Sequence, residues 1–139
     1  MVIVDTSVVI AYFDDRKTAH TEWLDRQLQL QRVGITTLTL TESLQGMRRE
    51  EDVVEALKVL SRFEIFETGG SALAIASARN YRTLRRMGIT IRNTIDCLIA
   101  TFCIQNGYQL LHNDRDFDAF EAQFGLRVVH PPNRFSTDK

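Results

Sequence analysis

Short apolar runs alternate with longer stretches of helical spacing along the whole chain. Met1 to Val4 is a β-branched apolar run that stops at Asp5-Thr6-Ser7. Helical spacing follows at Val8, Val9 and Tyr12, and again from about Thr18 to Arg32, where Trp23, Leu24 and Leu28 share a face. Gly34-Ile35-Thr36 reads as a short strand, Thr39 to Arg49 as a helix, and Asp52 to Phe63 as another, striped by Val53, Ala56, Leu57 and Leu60. Glu64 to Phe66 is a brief strand closed by Gly69-Gly70. Ala72 to Met87 is a helix, apolar through Leu73, Ile75, Ala76 and Leu84, with arginines on its other side. Thr94 to Gln105 is a largely buried helix that Asn106-Gly107 ends with a left-handed cap. Tyr108 to Leu111 is a strand, Arg115 to Gln123 a short helix and Leu126 to Val129 a last strand, before Pro131-Pro132 opens a polar tail expected to be loose.

Strands that are short and apolar on both faces, separated by helices, call for a parallel sheet covered on both sides. The pattern shows no internal repeat or linker, so one α/β domain over residues 1–130 with a tail at 131–139 is expected. The 139 residues suffice for one core without staples. Cys97 and Cys103 lie six apart in an apolar helical run and read as small core residues, so nothing points to an oxidising compartment. No apolar stretch approaches the ~20 residues of a membrane span, and no signal-type segment opens the chain. A cytoplasmic protein without a membrane partner is the expectation.

Net charge is −1, which alone argues against a nucleic-acid partner. Its distribution changes that picture. Between Thr68 and Ile95 there is no acidic residue but there are five arginines, Arg79, Arg82, Arg85, Arg86 and Arg92, which leaves −6 on the rest of the chain (−1 minus +5). A basic segment on an acidic body can steer a phosphate backbone; a plain solvated helix face would read the same.

Four acids fall at strand ends or helix starts: Asp5 after the first strand, Glu42 one turn into its helix, Asp96 in the first turn of its helix, and Asp114 after the strand ending at Leu111. In a parallel sheet, crossover helices begin where strands end, so all four belong to the carboxyl edge, where open α/β folds place ligands. Each also has a structural explanation. Asp5 and Asp114 could be N-caps, Thr39-x-x-Glu42 matches a capping box, and Asn93-x-x-Asp96 does so loosely. Thr6, Ser7 and Thr94 could cap instead, which weakens that explanation for the set. Convergent carboxylates repel and raise one another's pKa. A divalent cation resolves this, and all-oxygen ligands suit Mg²⁺ or Mn²⁺ rather than zinc. Such an ion activates water and stabilises charge during phosphodiester hydrolysis, and the basic helix offers the rest of a polynucleotide a place to lie.

Four segments, Val2-Ile3-Val4-Asp5-Thr6-Ser7-Val8, Thr39 to Gly46 around Glu42, Asp96 to Ala100, and Leu110 to Phe117, resemble in order and spacing the PIN domain family, and within it the VapC-type toxins of bacterial toxin–antitoxin pairs. The resemblance covers nearly the whole chain. It implies a three-layer sandwich whose sheet of about five parallel strands runs in the order 3-2-1-4-5. It implies a Mg²⁺- or Mn²⁺-dependent endoribonuclease, a homodimer, and neutralisation by a VapB-like antitoxin. Carried over by position, Asp5, Glu42, Asp96 and Asp114 are metal ligands, directly or through water. Thr6 or Ser7 supports the site, and Asn113 orients Asp114 or a metal water. Asp116 competes with Asp114 for the fourth place; Asp114 is favoured because it lies nearer the strand end, with Asp116 behind it. Asp118 reads as solvated.

Arg92 and Arg115 flank the acids and are candidates for contacting RNA, together with Arg79, Arg82, Arg85 and Arg86; pairing with the same acids or with an antitoxin is the alternative for the flanking two. His20, His112 and His130 are scattered, without a ligand-spaced partner, and only His112 adjoins the acids. Trp23 and the run Phe117, Phe120, Phe124 read as core or dimer contacts rather than base-stacking platforms. Two other Mg²⁺-using α/β classes fail on residues. A response-regulator receiver needs a lysine after a late strand, and Lys17, Lys58 and Lys139 are misplaced; a haloacid-dehalogenase-type phosphatase needs Asp-x-Asp after the first strand, and position 7 is Ser. A fold of this type that only binds RNA or protein usually lacks acids, and none is missing here. A PIN nuclease outside toxin–antitoxin systems is the other alternative. Neither RNA nor DNA as substrate, nor a target sequence, is legible in the chain.

Overall fold

β1 (Val2–Val4) is buried along its whole length and alternates between two cores. Val2 and Val4 join one cluster with Val33, Ile35 and Leu111, while Ile3 joins a second with Leu110. A strand that feeds a core on each face must lie inside a sheet, and β1 does, with β2 (Val33–Thr36) on one side and β4 (Gln109–Leu111) on the other. β3 (Glu64–Phe66) and β5 (Arg127–Val128) form the edges, all pairs are parallel, and the order is β3-β2-β1-β4-β5. The computed structural model describes residues 1–133; of the expected tail, residues 134–139 lie outside the described residues.

One face is covered by α1 (Thr6–Phe13), α2 (Ala19–Gln27), α3 (Thr37–Gln45) and α4 (Glu50–Leu60) through Val8, Val9, Leu24 and Leu60. The other is covered by α5 (Ser71–Arg86), α6 (Thr94–Asn106), a 3₁₀ turn at Arg115–Phe117 and α7 (Asp118–Phe124). Cys97 and Cys103 are buried free thiols in that second core, and Phe117 and Phe120 are its largest fully buried side chains, as the spacing predicts. Gly107 closes α6 at φ 68°.

Several expectations are corrected. The edge strand β3 is not covered on both faces: its apolar Ile65 is 44% exposed. Ile75 lies on the solvent side of α5, while Leu73, Ser77 and Leu84 face inward. α2 stops at Gln27, short of Arg32, where Leu30 is exposed and no core remains to cover. α3 begins at Thr37, not Thr39, because the Thr36 hydroxyl accepts the Thr39 amide at 3.1 Å. The single helix expected at Arg115 to Gln123 is split into the 3₁₀ turn and α7.

Candidate metal centre

Asp5 leaves β1 and caps α1. Its Oδ2 accepts the Ser7 amide at 3.0 Å and the Ser7 hydroxyl at 2.7 Å. Its Oδ1 is buried with no hydrogen-bond partner. The capping explanation is therefore correct for half of the carboxylate and leaves the other half unaccounted for. Burial raises the Asp5 pKa, against the Ser7 bonds that lower it, and Glu42 adds a smaller push upward.

Glu42 is not a capping-box residue. With α3 starting at Thr37, it lies in the second turn, and its Oε1 accepts the Thr6 hydroxyl at 2.7 Å. With that proton directed at Glu42, the Thr6 oxygen is left to accept from the Thr39 hydroxyl 3.1 Å away, so the hydroxyl after Asp5 ties α1 to α3. Asn93 caps α6 through Ile95, while its amide nitrogen is 3.5 Å from Glu42 Oε2. Asp96, three residues after Asn93, is buried. Desolvation is the main cause that lifts its pKa to about 7, followed by the charges of Asp5, Asp114, Glu42 and Asp116.

Asp114 caps the 3₁₀ turn, accepting the Asp116 amide at 2.9 Å through Oδ1. Oxygens of Asp96, Asp114 and Asp116 lie within 4.8 Å of one another. The structure thus brings both competitors, Asp114 and Asp116, into one group with Asp96, and puts Asp5 and Glu42 within electrostatic range of Asp96. Asp116 is also forked by Arg92, with Nε to Oδ2 at 3.2 Å and Nη2 to Oδ1 at 3.5 Å. Arg92 is exposed, and the surrounding acids hold its guanidinium charged.

Ser7 also accepts the Asn113 amide at 3.1 Å, so the exit of β4 is tied to Asp5 through one hydroxyl. This use of the Asn113 backbone, the Thr39 hydroxyl and the Asn93 side chain was not assigned from sequence. Asn93 alone carried a signal, as a helix cap next to an acid.

The donors are all oxygens, several are desolvated, and one buried carboxylate oxygen is orphaned. That is the chemistry of a hard divalent cation site, and the residues present fit one. On α5, Arg79, Arg82, Arg85 and Arg86 are exposed, and among the described residues none of the four is in an ion pair. Arg79, Arg82, Thr83 and Arg86 line a shallow depression of about 180 Å³, and the Arg85 guanidinium lies 5.7 Å from the Tyr81 ring centre. Arg115 is exposed beside Asp114.

A parallel sheet in this order, with carboxylates gathered at its carboxyl edge, defines an α/β domain of the PIN type. Residues 2–123 match the family model of the PIN domain, and the chain belongs to that family. Among curated proteins it is similar to VapC ribonuclease Mb1587 of Mycobacterium bovis and ribonuclease VapC11 of Mycobacterium tuberculosis, each 28% identical over 131 residues, 93% of this chain and 98% of the relative. Among solved structures, FitAcB of Neisseria gonorrhoeae aligns at a TM-score of 0.74 and 20% identity, covering 94% of this chain and 98% of that one. VapBC2 of Rickettsia felis, bound to a promoter DNA fragment, aligns at 0.73 and 19%, covering 93% and 98%. Among the described residues, no helix is long and apolar enough to cross a membrane.

Proposed function

We propose that this protein is a metal-dependent endoribonuclease of the VapC toxin type, acting in the cytoplasm and restrained by a cognate antitoxin. The observation that carries the reading is the convergence of the Asp96, Asp114 and Asp116 oxygens within 4.8 Å, with buried Asp5 presenting an unpartnered oxygen at the same sheet edge. Asp5, Asp96 and Asp114 would hold Mg²⁺ or Mn²⁺, with Glu42 joining directly or through water and Asp116 completing the group. Bound there, the ion would acidify an attacking water and offset charge developing on the phosphodiester. Thr6 holds the Glu42 carboxylate, Ser7 holds Asp5 and the β4 exit, and Asn113 carries Asp114 into place. Arg92 is held beside the acids by Asp116 and is free to swing toward a phosphate, because its own side chain is 77% exposed. Arg115 lies on the same edge. The arginine face of α5 binds the flanking strand without base readout.

The curated relatives are named ribonucleases, and several solved neighbours are toxin–antitoxin complexes. Both support an RNA substrate and a VapB-like partner; the homodimer is proposed on the family resemblance alone. We assign the antitoxin to a groove of about 890 Å³ between the α1–α2 loop and α4, lined by Phe13, Met47 and Val59 and by six acids against Arg16 and Lys17. A basic amphipathic segment matches it.

The deciding experiment is cleavage of total RNA by purified protein with Mn²⁺, Mg²⁺ or EDTA, beside Asp96→Asn. Cutting that needs metal and is lost with Asp96 is the expected result. Binding of Mn²⁺ without cutting would mean that the substrate is a particular RNA absent from the mixture. Neither binding nor cutting would return the acids to the role of helix caps and end the enzyme reading.

A further inference from the structure

The exit of β4 is fastened more heavily than a surface turn requires. His112 is 8% exposed, and its Nδ1 accepts the Asp114 amide at 3.1 Å. An amide can only donate, so Nδ1 carries no proton there and the ring hydrogen is on Nε2, which is buried without a partner. The ring lies against Phe117, with centres 4.8 Å apart. The amide of Asn113 is taken by Ser7. Two successive amides are thus held by side chains: that of 113 by Ser7, and that of 114 by the ring of His112 itself.

We propose that His112, packed against Phe117, is a positioning residue that fixes where Asp114 presents its carboxylate to Asp96 and Asp116. This rests on the metal-centre reading above. Leaving Nε2 buried and unsatisfied is costly. The compensation is that an imidazole whose face packs on Phe117 cannot rotate, and its acceptor then holds the i+2 amide as an Asx turn would. An outer group of this kind alters metal affinity about 10–100-fold without touching the ion.

The test compares wild type, His112→Leu and His112→Asn for Mn²⁺ affinity by calorimetry and for kcat and KM on a cleaved RNA. Leucine keeps bulk without an acceptor; asparagine restores an acceptor that reaches the same amide. His112→Leu should bind Mn²⁺ about tenfold more weakly or worse, lowering kcat with KM little changed, and His112→Asn should recover most of both. If leucine does not fold, His112→Ala takes its place. Equal affinity in all three proteins, or equal loss in leucine and asparagine, would overturn the proposal, since ring packing alone would then explain the residue. Failure of the underlying reading is separable, because wild type itself would then bind no Mn²⁺.

Discussion

Asp96 concentrates the conflict at the residue scale. It is buried among four other carboxylates, and in metal-free protein its pKa is raised from the ordinary 3.8 to about 7. Between those values the folded state keeps a proton that the unfolded chain has released, so stability falls as pH rises through the window. Thermal midpoints of EDTA-treated protein should therefore drop from pH 4 to pH 7, and Mn²⁺ should restore them most strongly at the upper end. A flat profile would mean that the acids do not feel one another. Asp96→Asn removes both burial of charge and repulsion, so metal-free protein should gain about 1–2 kcal/mol near neutral pH, while Mn²⁺ binding and RNA cleavage disappear. Loss of stability would instead mark Asp96 as a structural acid. Which atoms meet was only partly legible here. Asp5 and Asp114 are caps, and in the proposed function they are site acids as well, which spacing cannot separate because one carboxylate has two oxygens.

At the element scale, the Phe66 ring of β3 lies over Gly34 of β2. A Cβ on Gly34 would stand 2.5 Å from Phe66 Cε2 and 3.2 Å from the Glu64 carbonyl. Phe66 cannot easily yield, since its ring meets those of Phe102 and Tyr108 at 6.0 and 5.6 Å. Gly34→Ala should cost about 1–3 kcal/mol in urea unfolding, and Phe66→Leu in the same chain should recover part of it, a coupling a double-mutant cycle reads. Additive losses would show that the ring moves aside. The helix at Glu42 teaches a related lesson. Thr39 and Thr36 are both competent caps, and sequence cannot rank them; burial of the Thr36 hydroxyl against the Thr39 amide decides, and Glu42 is thereby released from capping to face Thr6.

For the whole molecule, charge is divided between faces. The α5 arginines have no acidic neighbour in sequence from Thr68 to Ile95, whereas the groove by α4 is rimmed by acids. Arg82→Glu with Arg85→Glu should weaken RNA binding most at low salt and flatten its salt dependence by roughly two in slope, leaving Mn²⁺ affinity intact. Unchanged binding would assign that face to protein or solvent. Asp52→Lys with Glu55→Lys should weaken antitoxin binding at least tenfold, through the loss of charge complementarity, and leave metal-dependent cleavage by the free protein unaltered. Cleavage lost together with binding would place the groove in the nuclease instead.

The order of strands and helices, the parallel sheet, the buried cysteines and phenylalanines, and the gathering of acids at one edge were all legible in the chain. They follow from local periodicity and from the rule that crossover helices begin where parallel strands end. Only tertiary structure decided that Asp116 joins Asp96 and Asp114, that Arg92 pairs with Asp116, and that Ile75 faces solvent. Those outcomes depend on how each helix is rotated against the sheet and on contacts such as Asn113 to Ser7, 106 positions apart. Desolvation and charge coupling exist only once such distant groups are packed together, and spacing along the chain carries no record of them.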